Sequence, residues 1–196
     1  MDASAKSGPD KRDFFRIDED IHFEFRSVSA SFVEDKDVGD AFDDADESLR
    51  LIDQLNKIER ESHQSLKILT DKNRLLGDYL STLSQKIDTI GRHIAFTSEE
   101  SLKQRPKTRV SLSEDGVGFI CDRPLYKGSF IALRLIFLPN YTMANSFAQI
   151  MRCVEKGDNF QVAAKFHGIY DKDRQRISKQ ILKAQVRSRK TNPPAA

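Results

Sequence analysis

From Leu49 to Ala95 the chain runs without a proline, and its apolar residues recur every three and four positions. With position a of a heptad set at residue 52 and d at 55, the a series reads Ile52, Glu59, Leu66, Asn73, Leu80, Ile87, Ile94. The d series reads Leu55, Ser62, Leu69, Leu76, Leu83, Ile90. Ten of these thirteen residues are apolar, and none of the twelve b and f residues opposite them is. A straight α-helix drifts about 20° per heptad against such a repeat, so a stripe held this long demands left-handed supercoiling with a partner. The pattern predicts one coiled-coil helix over 49–95, roughly 70 Å long. A helix of that length outruns what the rest of the chain could cover, which argues against an intrachain hairpin. The g positions Leu51, Ile58 and Tyr79 widen the apolar face, while Asn56, His63, Thr70, Gly77, Ser84 and Gly91 leave the e positions uncharged. Dimers ordinarily place opposite charges at e and g, so the seam predicts a homo-oligomer, a trimer or tetramer over a dimer, with the tetramer first. Gly77 and Gly91 each cost about 1 kcal/mol inside a helix, which close approach of neighbouring helices explains. Asn73 at an a position would set register and would face itself in a parallel bundle.

Elsewhere the period is two. Ile21, Phe23 and Phe25 alternate with His22, Glu24 and Arg26, the mark of a half-buried strand. From Arg105 onward short apolar runs are punctuated by Gly and Pro, predicting strands at Val110–Leu112, Gly118–Cys121, Phe130–Leu138, Phe147–Val154 and Phe160–Phe166. Ile177, Ile181 and Leu182 lie at helical spacing and predict a terminal helix over Asp171–Ala184. Residues 1–10 and 187–196 read as flexible tails, and the acidic stretch 34–48 as a linker or the start of the long helix, where carboxylates suit the helix dipole.

Charge adds an asymmetry to this plan. The 196 residues carry a net +2, but the balance is −8 over residues 1–50, −1 over 51–100 and +11 over 101–196. So even an overall balance makes nucleic acid an unlikely partner, and the split favours attraction between opposite parts of the chain or of its copies. No apolar run is long enough to span a membrane, and residues 1–10 hold no secretory apolar segment. Two cysteines, Cys121 and Cys153, are too few for a disulfide framework and suit a reducing, cytoplasmic setting.

Two short motifs flank the long helix. Arg12 and Arg16 form an R-x-x-x-R spacing on the lead-in to the first strand, where paired guanidinium groups can fork onto phosphates or a guanine edge. Ser111, Ser113 and Gly116 form S-x-S-x-x-G at a strand end, with hydroxyls able to bind a phosphate or base edge and a glycine able to take a positive φ. In this order, followed by several strands and a terminal helix, they resemble the PilZ domain, the bacterial receptor module for cyclic di-GMP. The resemblance spans 11–33 and 103–186. It implies an α+β protein: a six-stranded antiparallel β-barrel with a C-terminal helix, here with the long coiled-coil helix inserted between the first two strands. It further implies that Arg12, Arg16, Ser111, Ser113 and Gly116 hold cyclic di-GMP, and it looks like the tetrameric variant of the family with an inserted heptad helix. Ser111 stands where the family has Asp or Asn.

No catalytic constellation is present: the four histidines have no metal-ligand spacing, and no nucleophile elbow, phosphate loop or zinc signature occurs. The sequence therefore predicts no enzyme, no cofactor and no metal. It leaves two readings, a cyclic di-GMP effector relaying to a protein partner, or an oligomeric scaffold that acts through protein contacts alone.

Overall fold

The computed structural model describes residues 15–42, 47–97 and 105–191. In chain order the elements are β1 (Ile17–Val28), α1 (Ala30–Asp35), a 3-10 turn (Val38–Ala41), α2 (Glu47–Lys72), α3 (Arg74–Thr97), β2 (Thr108–Leu112), β3 (Gly116–Cys121), β4 (Phe130–Phe137), β5 (Thr142–Lys156), β6 (Asn159–His167) and α4 (Asp171–Thr191). The six strands close into a barrel in the order β1-β2-β3-β6-β5-β4, every pairing antiparallel. β1 is the closing stave. Its first part, Ile17–Ile21, pairs with β2, and its second, His22–Val28, pairs with β4.

Alternation places the barrel core. Ile21, Leu112, Val117, Leu133, Leu135, Phe137 and Ile150 point inward and are wholly buried, and Ile177 and Ile181 of α4 close one side against them. Leu182, on the same helix, turns to solvent instead. β4 breaks the in–out rule: Ala132, Arg134 and Ile136 on its outer face are buried as well. The continuous apolar run FIALRLIF is the sequence of a strand covered on both sides. Leu49 and Ile52 of α2 cover Ile136 and Met143, each such side chain contributing about 1.5–3 kcal/mol. Val38 and Phe42 cover Ala132 and Phe147.

Three expectations are corrected. The helix expected to run unbroken over 49–95 is two helices, divided at Asn73 and folded back on one another. Leu55 lies against Gly91, Glu59 meets Ser84 and Thr70 lies against Gly77, contacts whose residue numbers converge on the break. A hairpin covers itself, so the length argument against one fails. Asn73 serves as the N-cap of α3, its Oδ1 accepting from the Leu76 N–H at 3.1 Å, the role for which Asn is among the best residues. The acidic stretch is anchored where it is described: Asp37 caps the 3-10 turn in a capping box and receives Arg60 of α2. Finally, α4 continues to Thr191, well into the expected tail. Residues 1–10 lie outside the described residues.

Candidate functional site

Between the two halves of the first motif the structure describes one. Arg16 lies on the approach to β1, and Arg12 falls outside the described residues. Register carries a row of residues across the outside of the barrel: Asp18 of β1 opposite Ser111 of β2, Ser111 opposite Gly118 of β3, Gly118 opposite Ala163 of β6. The last three are small, which leaves a low floor. The Arg16 guanidinium reaches over it: a Cβ built on Gly118 would stand 3.7 Å from Arg16 Nη1 and 3.5 Å from Ser111 Cβ. Arg109, two residues before Ser111 on the same strand face, sits beside the row, 3.9 Å from Asp18 and 3.8 Å from Asp20. Those pairs are exposed and add little to stability.

Ser113 and Gly116 do something else. Ser113 is buried, its Oγ donating to the Gly116 carbonyl at 3.1 Å and accepting from the Gly116 N–H at 3.2 Å. The Ser113 N–H donates to the same carbonyl at 2.9 Å. These bonds close the β2–β3 turn. Gly116 has no positive φ; it is glycine because a Cβ would run into the Ala164 carbonyl oxygen of β6. Thus Arg16 and Ser111 are brought together, and Ser113 and Gly116 shape the turn beside them. Gly118 and Arg109 escaped the sequence reading, although β-strand parity with Ser111 signals Arg109. Chemically, a guanidinium above a flat small-residue floor can take the face or edge of a base and a phosphate oxygen, with the Ser111 hydroxyl as a second donor.

The second candidate is the heptad seam, and the fold divides it. Ile52 is buried on the barrel and Leu55 packs on Gly91, Leu66 and Leu80 are half-buried, and Asn73 is the helix cap. The rest face outward. Leu69 and Leu76 flank the turn, exposed by 41% and 43%. Along α3, Leu83, Ile87, Ile90 and Ile94 are exposed by 43%, 50%, 59% and 56%, with Tyr79 beside them. Isolated exposed apolar side chains are ordinary, whereas a contiguous stripe over five helical turns is the pattern that interaction surfaces show.

A charged network holds the base of the hairpin to the barrel. Arg134, wholly buried in β4, pairs with Asp53 of α2 and, at 3.4 Å, with Glu24 of β1, and its guanidinium lies 4.1 Å from the Phe42 ring centre. Asn145 of β5 donates to Asp53 at 2.7 Å. On the α4 side Arg176 donates to Asp173 and Asn56 at 3.0 Å and reaches Asp88 of α3 at 3.5 Å. Burial lifts the Asp173 carboxyl above its usual range, against the pull of Arg176 and Arg60. Burial likewise raises the Cys121 thiol. Both cysteines are free. Among the described residues no group of three or more His, Cys, Asp or Glu is placed to hold a metal, and no helix is long and apolar enough to cross a membrane.

No protein-family model matches the sequence, and no curated protein does. Solved structures do. A Xanthomonas campestris protein, described as pathogenic and as a tetrameric PilZ domain self-assembled via an unusual helical bundle, is 11% identical; the match covers 90% of this chain and 89% of that one with a TM-score of 0.50. The Bacillus subtilis inhibitor of motility matches over 41% of this chain and 42% of its own, at 18% identity and a TM-score of 0.37. Escherichia coli YcgR in complex with c-di-GMP matches over 43% and 38%, at 15% identity and a TM-score of 0.38. The chain has a PilZ-like fold, an α+β barrel with a C-terminal helix and an inserted helical region. The 90% coverage by the Xanthomonas structure reaches into the inserted helices as well as the barrel.

Proposed function

We propose that this chain is an oligomeric PilZ-type adaptor, joined copy to copy through its inserted helices and offering its barrels to a protein partner. One observation carries the reading: the exposed stripe of Leu76, Leu83, Ile87, Ile90 and Ile94 on α3, in a chain that is 32% charged. Burying four such side chains in an interface contributes several kcal/mol at about 1.5–3 kcal/mol each. Four copies is the number inferred, supported by the breadth of the face with Tyr79 on its flank and by the tetrameric assembly described for the Xanthomonas neighbour. Binding and assembly, with no catalytic step, are the activities proposed, in the cytoplasm. Light scattering tests it. The wild type is expected at four times the 22.4 kDa chain mass, and Leu83→Asp/Ile87→Asp at a lower mass with its circular dichroism intact. A wild type that runs as a single chain at tens of micromolar overturns the reading.

A second reading has its own support, the placement of Arg16 over the Ser111–Gly118 floor. On it the adaptor takes cyclic di-GMP, Arg12 and Arg16 engaging phosphates and guanine and Ser111 donating from the floor. Calorimetric titration of the dinucleotide decides: micromolar binding weakened at least tenfold by Arg16→Ala supports a receptor, and no heat from the wild type leaves the scaffold alone.

A further inference from the structure

The inserted segment carries signatures of two different conformations. The first belongs to the hairpin. Gly77 packs so near Thr70 that an ideal Cβ would lie 2.7 Å from the Thr70 Cα, a constraint created by the one-residue connection between α2 and α3. The second belongs to an uninterrupted helix. The heptad phase set at Ile52 passes through Asn73 and reaches Ile94 without a shift, although a chain that reverses direction at residue 73 has no need to keep phase across the turn. The hydrogen bonding agrees with both. The Asn73 N–H donates to the Leu69 carbonyl at 2.8 Å and the Gly77 N–H to the Asn73 carbonyl at 3.0 Å. Both are the i to i−4 bonds of a continuous helix, so the ladder runs up to Asn73 and resumes at Gly77.

Short connections are places where proteins exchange elements between copies, and here a single residue, Asn73, joins α2 to α3. We infer that this chain assembles by exchange at Asn73, resting on the reading above that it is an oligomer. Residues 47–97 straighten into one helix of about 75 Å, and everything after Asn73 is traded with a second copy. The two helices then lie antiparallel with Asn73 at the centre. Leu55 meets Gly91, and Glu59 meets Ser84, of the other copy. Asp53 of one chain meets Arg134 of the other, and β1 of one closes the barrel built from β2 to β6 of the other. Every contact described for the single chain is regained except those at the turn. What is gained is the missing stretch of helical hydrogen bonding and a single straight seam, in which Leu69 and Leu76 become successive d residues of one apolar stripe.

The test is a distance within one chain. Spin labels at Lys57 and Thr89, both exposed, sit near one another across the hairpin but about 48 Å apart along a continuous helix. Labelled chains are diluted into an excess of unlabelled ones, refolded together, and measured by double electron–electron resonance beside light scattering on the same sample. The expected result is a distance near 5 nm in the oligomer. Gly77→Ala is expected to raise the long-distance population, because it blocks the turn and favours helix, and insertion of Gly-Gly after Asn73 to abolish it by relaxing the turn. An oligomeric mass with a short distance throughout overturns exchange and leaves assembly standing. A single-chain mass overturns both.

Discussion

The buried guanidinium of Arg134 on β4 is ion-paired with the carboxylate of Asp53 on α2. That pairing is where the inserted hairpin is fastened to the barrel. Removing one partner of a buried pair strands the other charge, at a cost of about 3–5 kcal/mol. Asp53→Ala is therefore expected to destabilise the protein by that amount in urea denaturation, and to raise amide exchange in the first turns of α2. A loss within 1 kcal/mol would show that Glu24 and the Phe42 ring suffice to hold Arg134.

The two crowded glycines outside the hinge predict opposite outcomes. Gly116→Ala drives a methyl into the Ala164 carbonyl, which is backbone and fixed by the β3–β6 pairing. A loss of about 1–3 kcal/mol is expected, the range for overpacking. Gly91→Ala meets only Leu55 Cδ1, the free end of a flexible side chain, and alanine favours helix by about 1 kcal/mol. Its melting temperature is expected to match or exceed the wild type, and a large fall would place something more rigid than Leu55 behind Gly91.

Asp173 gives a pH dependence of fixed sign. Its folded carboxyl titrates above its ordinary value of 3.8, so between those two points the folded state holds more protons than the unfolded one. Stability from this group is complete below the unfolded value and declines as pH rises through the folded one. Asp173→Asn stays neutral and lacks that decline. The stability difference, wild type minus variant, is expected to fall with rising pH above 4 and then level off. A difference that rises with pH would mean that Arg176 and Arg60 outweigh burial.

Much of the barrel was legible from the chain because alternation and turn residues act locally: Val110, Leu112, Val117 and Phe119 face inward as their parity requires. The run at 130–137 announced a doubly covered strand, though not what covers it. The hairpin was hidden by its own seam. Heptad phase passing through Asn73 reads as continuity, and the competing signals, an Asn cap with a glycine four residues on, are weak beside ten apolar seam positions. At the floor, Arg16 and Ser111 stand out in the sequence because their residue types carry chemistry. Gly118 was missed because its contribution is an absent side chain, visible only once register sets it beside Ser111. Ser113 was read as a ligand group because a sequence cannot show which hydroxyl has spent its hydrogen bonds on a neighbouring turn.

The stave that closes the barrel is also the first one synthesised. His22–Val28 must wait for residues 130–136 before its second edge is seated, more than a hundred residues of growth later. Contacts so distant in sequence form slowly, and an exposed strand edge in the meantime is a template for pairing. Chains emerging side by side from one messenger would therefore meet while the β1 of each still lacks its partner strands, so the time and place of translation would bear on which copy completes which barrel.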